Sequence, residues 1–249
     1  MNFIKKIKNI LDRNFKFHQQ NFDLNKKILN QNEELLWAEI YHDSIKGKGE
    51  LENLSLNIGR WAGNYSFFYV LHRILSTCKP KRILELGLGE SSKFISVFIS
   101  DYLTKTDHLI IEQSIDWKNQ FIEQFNLSSN SKIKILPIEL LDIKGHAVNS
   151  YKGFDHEING LFDFYLIDGP FGSYNFSRYD IINLIKEFPK DHEFVILFDD
   201  YDRKGEQQTV KTLIEILNNN GIKNYKAIYK GLKTQIIIAS EKFKFVENF

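Results

Sequence analysis

One cysteine in 249 residues, Cys78, excludes a disulfide framework or a cysteine-based zinc site within a single chain. Prolines number four and no low-complexity tract occurs, so extensive disorder is not expected. Nowhere do about eighteen apolar residues run together, as a membrane-spanning helix would need. An excess of one charge is also missing: 33 Lys and Arg against 32 Asp and Glu leave a net charge of +1. That balance argues against a protein built to grip a nucleic-acid backbone, which usually shows a clear basic excess. The opening MNFIKKIKNILDRNFKF is basic, but it lacks the continuous apolar core and cleavage site of a secretory leader. A cytoplasmic location is therefore the expectation.

What is present is an ordinary globular mixture, 43% hydrophobic and 26% charged. A chain of this size buries roughly 70–75% of its unfolded surface and needs no covalent staple. Its length suits one α/β domain with an elaboration, and the pattern places that elaboration at residues 1–80. Phe3, Ile4, Ile7, Ile10, Leu11 and Phe15 recur at helical spacing, with Lys5, Lys6, Lys8 and Arg13 between them. Such a helix can pack on the body or on a second subunit, the preferred reading, or lie on an anionic membrane surface. A homo-oligomer through these helices follows from the first reading. A second helical stretch covers 32–44, with Leu35, Leu36, Trp37 and Ile40 as its apolar stripe, and Gly47 and Gly49 end it. A third covers 59–76, with Tyr65, Phe68, Tyr69, Leu71 and Leu75 turned inward.

From Lys81 the grammar changes to short apolar runs separated by helical segments. The runs are RILEL (82–86), HLIIE (108–112), KIKILPI (132–138), FDFYLID (162–168), EFVILFD (193–199), YKAIY (225–229) and TQIIIAS (234–240). The first five are almost wholly apolar, as strands buried on both faces of a parallel sheet are. Helical periodicity fills 91–102, 115–125, 179–187 and 209–218. This alternation predicts an α/β fold: a Rossmann-like, mostly parallel seven-stranded sheet with helices on both faces. The last two runs are joined by only four residues including Gly231, which requires a hairpin and an antiparallel last strand.

RILELGLGESSKF is the most informative stretch. A buried strand runs into a loop with Gly87 and Gly89, and Ser91 or Ser92 can cap the next helix. The helix N-terminus offers free N–H groups to a ligand. As a dinucleotide fingerprint it fails, because G-L-G-E-S-S has no third glycine and puts Glu90 where a pyrophosphate would sit. A cationic or amino-acid-bearing ligand suits this loop better. ILELGLGESS resembles motif I of the class I S-adenosylmethionine-dependent methyltransferases in its E-x-G-x-G-x-S form. HLIIEQS ends the second strand on Glu112, where that family uses an acid for the ribose hydroxyls, and the terminal hairpin is similar to the family's last two strands. The likeness spans about residues 81–240, within a domain placed at 81–249. It implies S-adenosylmethionine as cofactor, with Glu85, Gly87, Gly89 and Ser91 around its amino-acid portion and Glu112 on its ribose. Asp142, or the neighbouring Glu139, is the candidate for the adenine side.

Three acids stand at later strand ends, Asp168 after the fourth strand and Asp199 and Asp200 after the fifth. In an open parallel sheet the functional crevice lies outside these ends. Carboxylates converging there repel one another unless a cation or proton is shared. The arrangement is similar to metal-dependent O-methyltransferases related to catechol and macrolide-sugar methyltransferases. That resemblance implies Asp168, Asp199 and Asp200 as ligands of Mg²⁺ or another divalent cation, which would lower the pKa of an acceptor hydroxyl. The chain departs from it at Gly169, Pro170 and Phe171, where those enzymes often carry an acid and a histidine or lysine. IDGPFGSYNFSRYD instead resembles IDGP-containing methyltransferases that act on sugars and polysaccharides.

The reading is therefore methyl transfer to an oxygen of a small-molecule or glycan acceptor, with Asp168, Asp199 and Arg178 as catalytic candidates. Asp168 is a direct base if no metal is present. Arg178 either binds an anionic acceptor or pairs with Asp180; Asp199 or Asp202 taken singly can be a local cap, a reading that explains the three strand-end acids together less well. Arg60, Trp61 and Tyr65 form either an aromatic lid or, for Tyr65, part of the core. His156 and His192 carry no expected role. An NAD-linked oxidoreductase and a non-catalytic binding protein on the same fold are the alternatives.

Overall fold

The computed structural model describes residues 2–249, with side chains at Lys5 and from Leu11 onward. Among them no helix is long and apolar enough to cross a membrane. Helix α1 (Asn2–Ile45) runs unbroken for 44 residues, about 66 Å at 1.5 Å per residue. It is continuous because neither glycine nor proline interrupts the chain before Gly47. Only its last part packs. Tyr41 and Ile45 are buried, with Trp37 and Ile40 half-buried beside them.

Two expectations change here. Leu35 and Leu36 point to solvent (66% and 56% exposed), because the inward stripe is 34, 37, 41 and 45, one residue around the helix. The amino-terminal stretch does not fold back on the body at its described positions, since Leu11 and Phe15 are exposed. The side chains of Phe3, Ile4, Lys6, Ile7, Lys8 and Ile10 lie outside the described residues.

A short helical turn, α2 (Gly49–Glu52), and a loop lead to α3 (Tyr65–Arg73), whose cap is Asn64 accepting from the Phe67 N–H. Then come β1 (Arg82–Leu86), α4 (Glu90–Tyr102), β2 (Asp107–Glu112), α5 (Ile115–Gln124) and β3 (Ser131–Ile135). The third apolar run thus stops at Ile135. Beyond Pro137, β4 (Ile138–Ile143) and β5 (His146–Tyr151) form a separate antiparallel hairpin. Its turn, Lys144–Gly145, has φ of +54° and +80°, the left-handed pair that matches the twist of a two-residue hairpin. Lys-Gly is not a strong turn signal, and this hairpin was not expected. Next are α6 (Phe154–Glu157), β6 (Phe164–Ile167), α7 (Ile181–Lys186), β7 (Val195–Phe198), α8 (Lys204–Asn219), β8 (Asn224–Lys230) and β9 (Thr234–Ser240).

The main sheet has seven strands in the order β3-β2-β1-β6-β7-β9-β8. β1, β2, β3, β6 and β7 are parallel, and β9 runs antiparallel to both β7 and β8. Both faces are covered, as the apolar runs require. Ile83, Phe164, Leu166, Val195 and Leu197 face a layer holding Tyr41, Phe67, Phe68, Leu71 and Phe94. Leu84, Leu86, Tyr165, Ile167, Ile196 and Phe198 face one holding Ile181, Val210 and Leu213. Each such full burial contributes about 1.5–3 kcal/mol. The strand order reverses between β1 and β6, so their carboxyl ends face each other across the crevice.

Candidate functional site

The loop after β1 begins at Gly87, whose φ is +103°. A Cβ there would stand 3.2 Å from the Gly169 amide nitrogen after β6, so the left-handed backbone and the close approach both require glycine. The Gly87 N–H donates to the Ile111 carbonyl at 2.8 Å. At Gly89 an added Cβ would meet nothing within 4 Å, so this side of the loop is open. The Gly89 N–H donates to Ser92 Oγ at 3.0 Å, which starts α4. Glu90 accepts from the Asn57 N–H and pairs with Lys93 at 2.7 Å, an acid well placed against the helix dipole.

Glu85 and Ser91 turn toward each other beneath this loop. Glu85 is fully buried, with Oε2 2.9 Å from His108 Nε2 and Oε1 accepting from Ser91 Oγ at 2.5 Å. The strand alternation dictates this. Leu84 and Leu86 face the α7–α8 layer, so Glu85 faces the other and lies under the first turn of α4. These contacts tie the end of β1 to the first turn of α4 and to β2.

Glu112, buried at the end of β2, accepts three backbone N–H bonds. Oε1 takes those of Gln113 (2.8 Å) and Ser114 (2.7 Å), and Oε2 takes that of Leu88 (3.1 Å). The carboxylate joins the β2 end to the glycine loop, and Oε2 keeps a lone pair for a ligand hydroxyl. Asp142 lies on β4, exposed, with Oδ1 accepting from the Gly145 N–H; it closes the hairpin turn. Glu139 is on the same strand.

The hairpin reaches the crevice through Tyr151. Its buried hydroxyl donates to the Ile111 carbonyl at 3.3 Å and lies against Gly169, where a Cβ would overlap it. Asp180 holds this tyrosine in place, accepting from Ser150 Oγ at 2.5 Å and the Tyr151 N–H at 2.9 Å. Burial pushes the Asp180 carboxyl up to about 6. Asp180 is therefore not the partner of Arg178.

On the other side of the crevice, Asp168, Asp199 and Asp200 do converge, with one oxygen of each within 4.8 Å of the others. Arg178, buried and at φ +57°, reaches into them. Its Nη2 lies 3.0 Å from Asp168 Oδ1 and 2.8 Å from Asp200 Oδ2, and its Nη1 donates to the Asp199 carbonyl at 2.9 Å. Lys233 Nζ stands 3.5 Å from Asp199 Oδ2 and 3.4 Å from Asp200 Oδ1. Arg203 adds a contact to Asp200 at 3.0 Å, and Gln235 Nε2 donates to Asp199 Oδ1 at 2.9 Å. A fourth acid, Glu206, is buried 3.9 Å from Arg178 Nε. Arg178 is thus committed to the acids and is not presented to an anionic acceptor.

The three acids respond differently. Burial, then the neighbouring acids, push the Asp168 carboxyl up to about 7 against the pull of Arg178. Burial also raises Asp199, partly offset by Lys233. For Asp200, burial is outweighed by Arg178, Lys233 and Arg203, which hold it below the usual carboxylate range. Asp168 alone keeps notable access, with 23% of its side chain exposed. A divalent ion among these oxygens would sit beside both Arg178 and Lys233. The donor set present does not fit a metal without displacing a cation already bound there.

Lys233, Gln235, Glu206 and Tyr151 were not legible as site residues. Lys233 and Gln235 had one available signal. An antiparallel last strand starts where its parallel neighbour ends, so its first residues must lie beside Asp199 and Asp200. Trp61 is 95% exposed on the turn before α3, whereas Tyr65 packs on Tyr41 and His42. His156 is exposed and His192 stacks on Phe194.

No protein-family model matches the chain, and no curated protein does. Solved structures similar to it include an O-methyltransferase from Bacillus cereus in complex with SAH, at 15% identity over 82% of this chain and 91% of that one, TM-score 0.49. Another is the SAH-bound methyltransferase PaMTH1 of Podospora anserina, at 13% identity over 82% and 87%, TM-score 0.47. A third is the hMettl16 catalytic domain in complex with an RNA hairpin, at 13% identity over 79% and 76%, TM-score 0.47.

Proposed function

We propose that the chain is an S-adenosylmethionine-dependent methyltransferase acting on an oxygen acceptor. The observation that carries this reading is the pairing across the switch point. An open glycine loop tied to Glu112 faces Asp168, the one acid of its cluster with both access and a pKa near neutrality. The cofactor supplies an electrophilic methyl on a sulfonium. Glu112 Oε2 would accept from a ribose hydroxyl, with Gly87 and Gly89 leaving room for the amino-acid end. Glu85 and Ser91 set the loop's shape from below. Asp168 would accept the acceptor hydroxyl's proton, while Arg178 fixes the orientation of its carboxylate. Nothing in this arrangement favours a pyrophosphate over the glycine loop, because Glu90 stands at the start of α4.

A sugar or glycan precursor is the acceptor class we favour, on the IDGP stretch, the near-neutral charge and the exposed Trp61, since aromatic faces pack on sugar rings. Calorimetric titration with S-adenosylmethionine and with NAD tests the cofactor: binding of NAD alone would overturn the reading. Oligomerisation is proposed on a different observation. Phe15, Phe22, Leu29 and Leu36 are all exposed and recur every seven residues along α1, forming one exposed apolar row. A second copy of the same helix can cover that stripe, and light scattering of the full chain checks it.

A further inference from the structure

We propose that the Lys233 ammonium, held in place by the amino-terminal helix, takes the position that a divalent cation would otherwise occupy at Asp199 and Asp200, so the wild-type site excludes the metal. This deepens the methyltransferase reading by settling how its acid cluster is neutralised, and it stands on the cluster's own geometry. Two carboxylate oxygens from different residues, Asp199 Oδ2 and Asp200 Oδ1, face Nζ at 3.5 and 3.4 Å. Asp199 Oδ2 has no hydrogen-bond partner besides this ion pair, so Lys233 is the group that meets its charge. On the opposite side Arg178 spans Asp168 and Asp200 through one nitrogen. Hard divalent ions need several free oxygens at short range. Here the oxygens that converge are shared among three side-chain cations, Arg178, Lys233 and Arg203, and a further positive centre would have to sit against them.

Lys233 is not a free surface lysine. Its turn is pinned from three directions. The Glu34 carboxylate of α1 accepts from the Leu232 N–H at 2.8 Å, Trp37 Nε1 donates to the Lys230 carbonyl at 2.8 Å, and Asn64 Nδ2 reaches the Lys233 carbonyl at 3.5 Å. Glu34 also accepts from Asn64 Nδ2 (2.7 Å) and the Tyr65 N–H (2.7 Å), while Asn64 Oδ1 accepts from the same Gln235 amide that donates to Asp199. A continuous hydrogen-bonded path therefore runs from α1 to the acid cluster. Glu34 and Gln235 are positioning residues, and Lys233 is the charge they place.

The test is Mn²⁺ binding to the full chain, followed by electron paramagnetic resonance, with S-adenosylmethionine titrated separately into the same samples. Wild type should bind no Mn²⁺ at this site at millimolar concentration. Lys233→Met, which keeps the side chain's length without its charge, should bind Mn²⁺ at least about tenfold more tightly. Adding Asp199→Asn should abolish that gain. Lys233→Arg keeps the charge and should stay silent, which separates loss of charge from a disturbed turn. Tight Mn²⁺ binding by wild type that Asp199→Asn removes, or no gain in Lys233→Met, would overturn the proposal. S-adenosylmethionine binding reports on the methyltransferase reading independently, since none of these substitutions touches the Gly87–Glu112 side.

Discussion

The two sides of the crevice hold buried acids by opposite means. Around β1 and β2, Glu85 and Glu112 are satisfied by His108 near the start of β2, Ser91 in the first turn of α4 and three backbone N–H groups of the loops after β1 and β2. Around β6 and β7, Asp168, Asp199 and Asp200 are met by Arg178, Lys233 and Arg203, charged side chains up to 34 residues away (199 to 233). Backbone donors are rigid and cannot leave, so the first side is a preformed cradle. Side-chain cations carry full charges, and they leave Asp168 with a proton affinity set by the balance between burial, the neighbouring acids and Arg178. The first side suits binding and the second suits proton transfer.

The comparison is sharpest at Asp168. Asp168→Asn removes the proposed base and should lower methyl transfer by roughly 10²–10⁴-fold with S-adenosylmethionine affinity unchanged. A fall in affinity instead would move Asp168 to the binding side. Glu112→Ala should do the reverse, weakening cofactor binding by about tenfold or more and costing roughly 1–3 kcal/mol of stability, since three N–H groups lose their acceptor. Calorimetry and thermal melts read both effects.

The pH profile separates the sides further. Asp168 must be deprotonated to accept a proton, so kcat/KM should fall about tenfold per pH unit below about 7. For stability the sign is opposite. A carboxyl whose folded pKa lies above its unfolded value, about 4, contributes stability that is complete below that value and is lost as pH rises through about 7. Asp168→Asn should flatten this dependence in melts taken across pH 4–8. A profile unchanged by the substitution would show that another group titrates.

Smaller effects are expected farther away. Glu34→Gln should cost about 1–3 kcal/mol, through weaker acceptance from Asn64, Tyr65 and Leu232. It should leave S-adenosylmethionine affinity alone if the two sides are independent. Phe22→Ser, on the exposed part of α1, should shift the protein toward monomer in light scattering while moving monomer stability by no more than about 0.5 kcal/mol.

Much of the sheet could be read from the chain because a strand buried on both faces must be apolar at every position, and 82–86, 108–112, 162–168 and 193–199 are nearly so. Its acids at strand ends followed directly, and Asp168, Asp199 and Asp200 do meet. The β4–β5 hairpin escaped because IELLDI and HAVNSY carry mixed patterns and a weak turn signal. The contact of Glu85 with Ser91 and His108 was not legible, because it needs β1, α4 and β2 brought together.

Local sequence thus determined which segments are strands, where the glycine loop lies and which acids stand at the carboxyl edge, since each depends on residues within one or two turns of chain. Only the tertiary structure decided how those acids are neutralised. Charges interact through space, and the partners that matter sit in the 171–179 loop, in the turn before β9 and, through Glu34, on the first helix. No spacing rule along the chain brings Glu34, Arg178 and Lys233 together. The strand order places Lys233, by setting the start of β9 beside the end of β7, while Glu34 and Arg178 reach the same place from α1 and from the loop before α7.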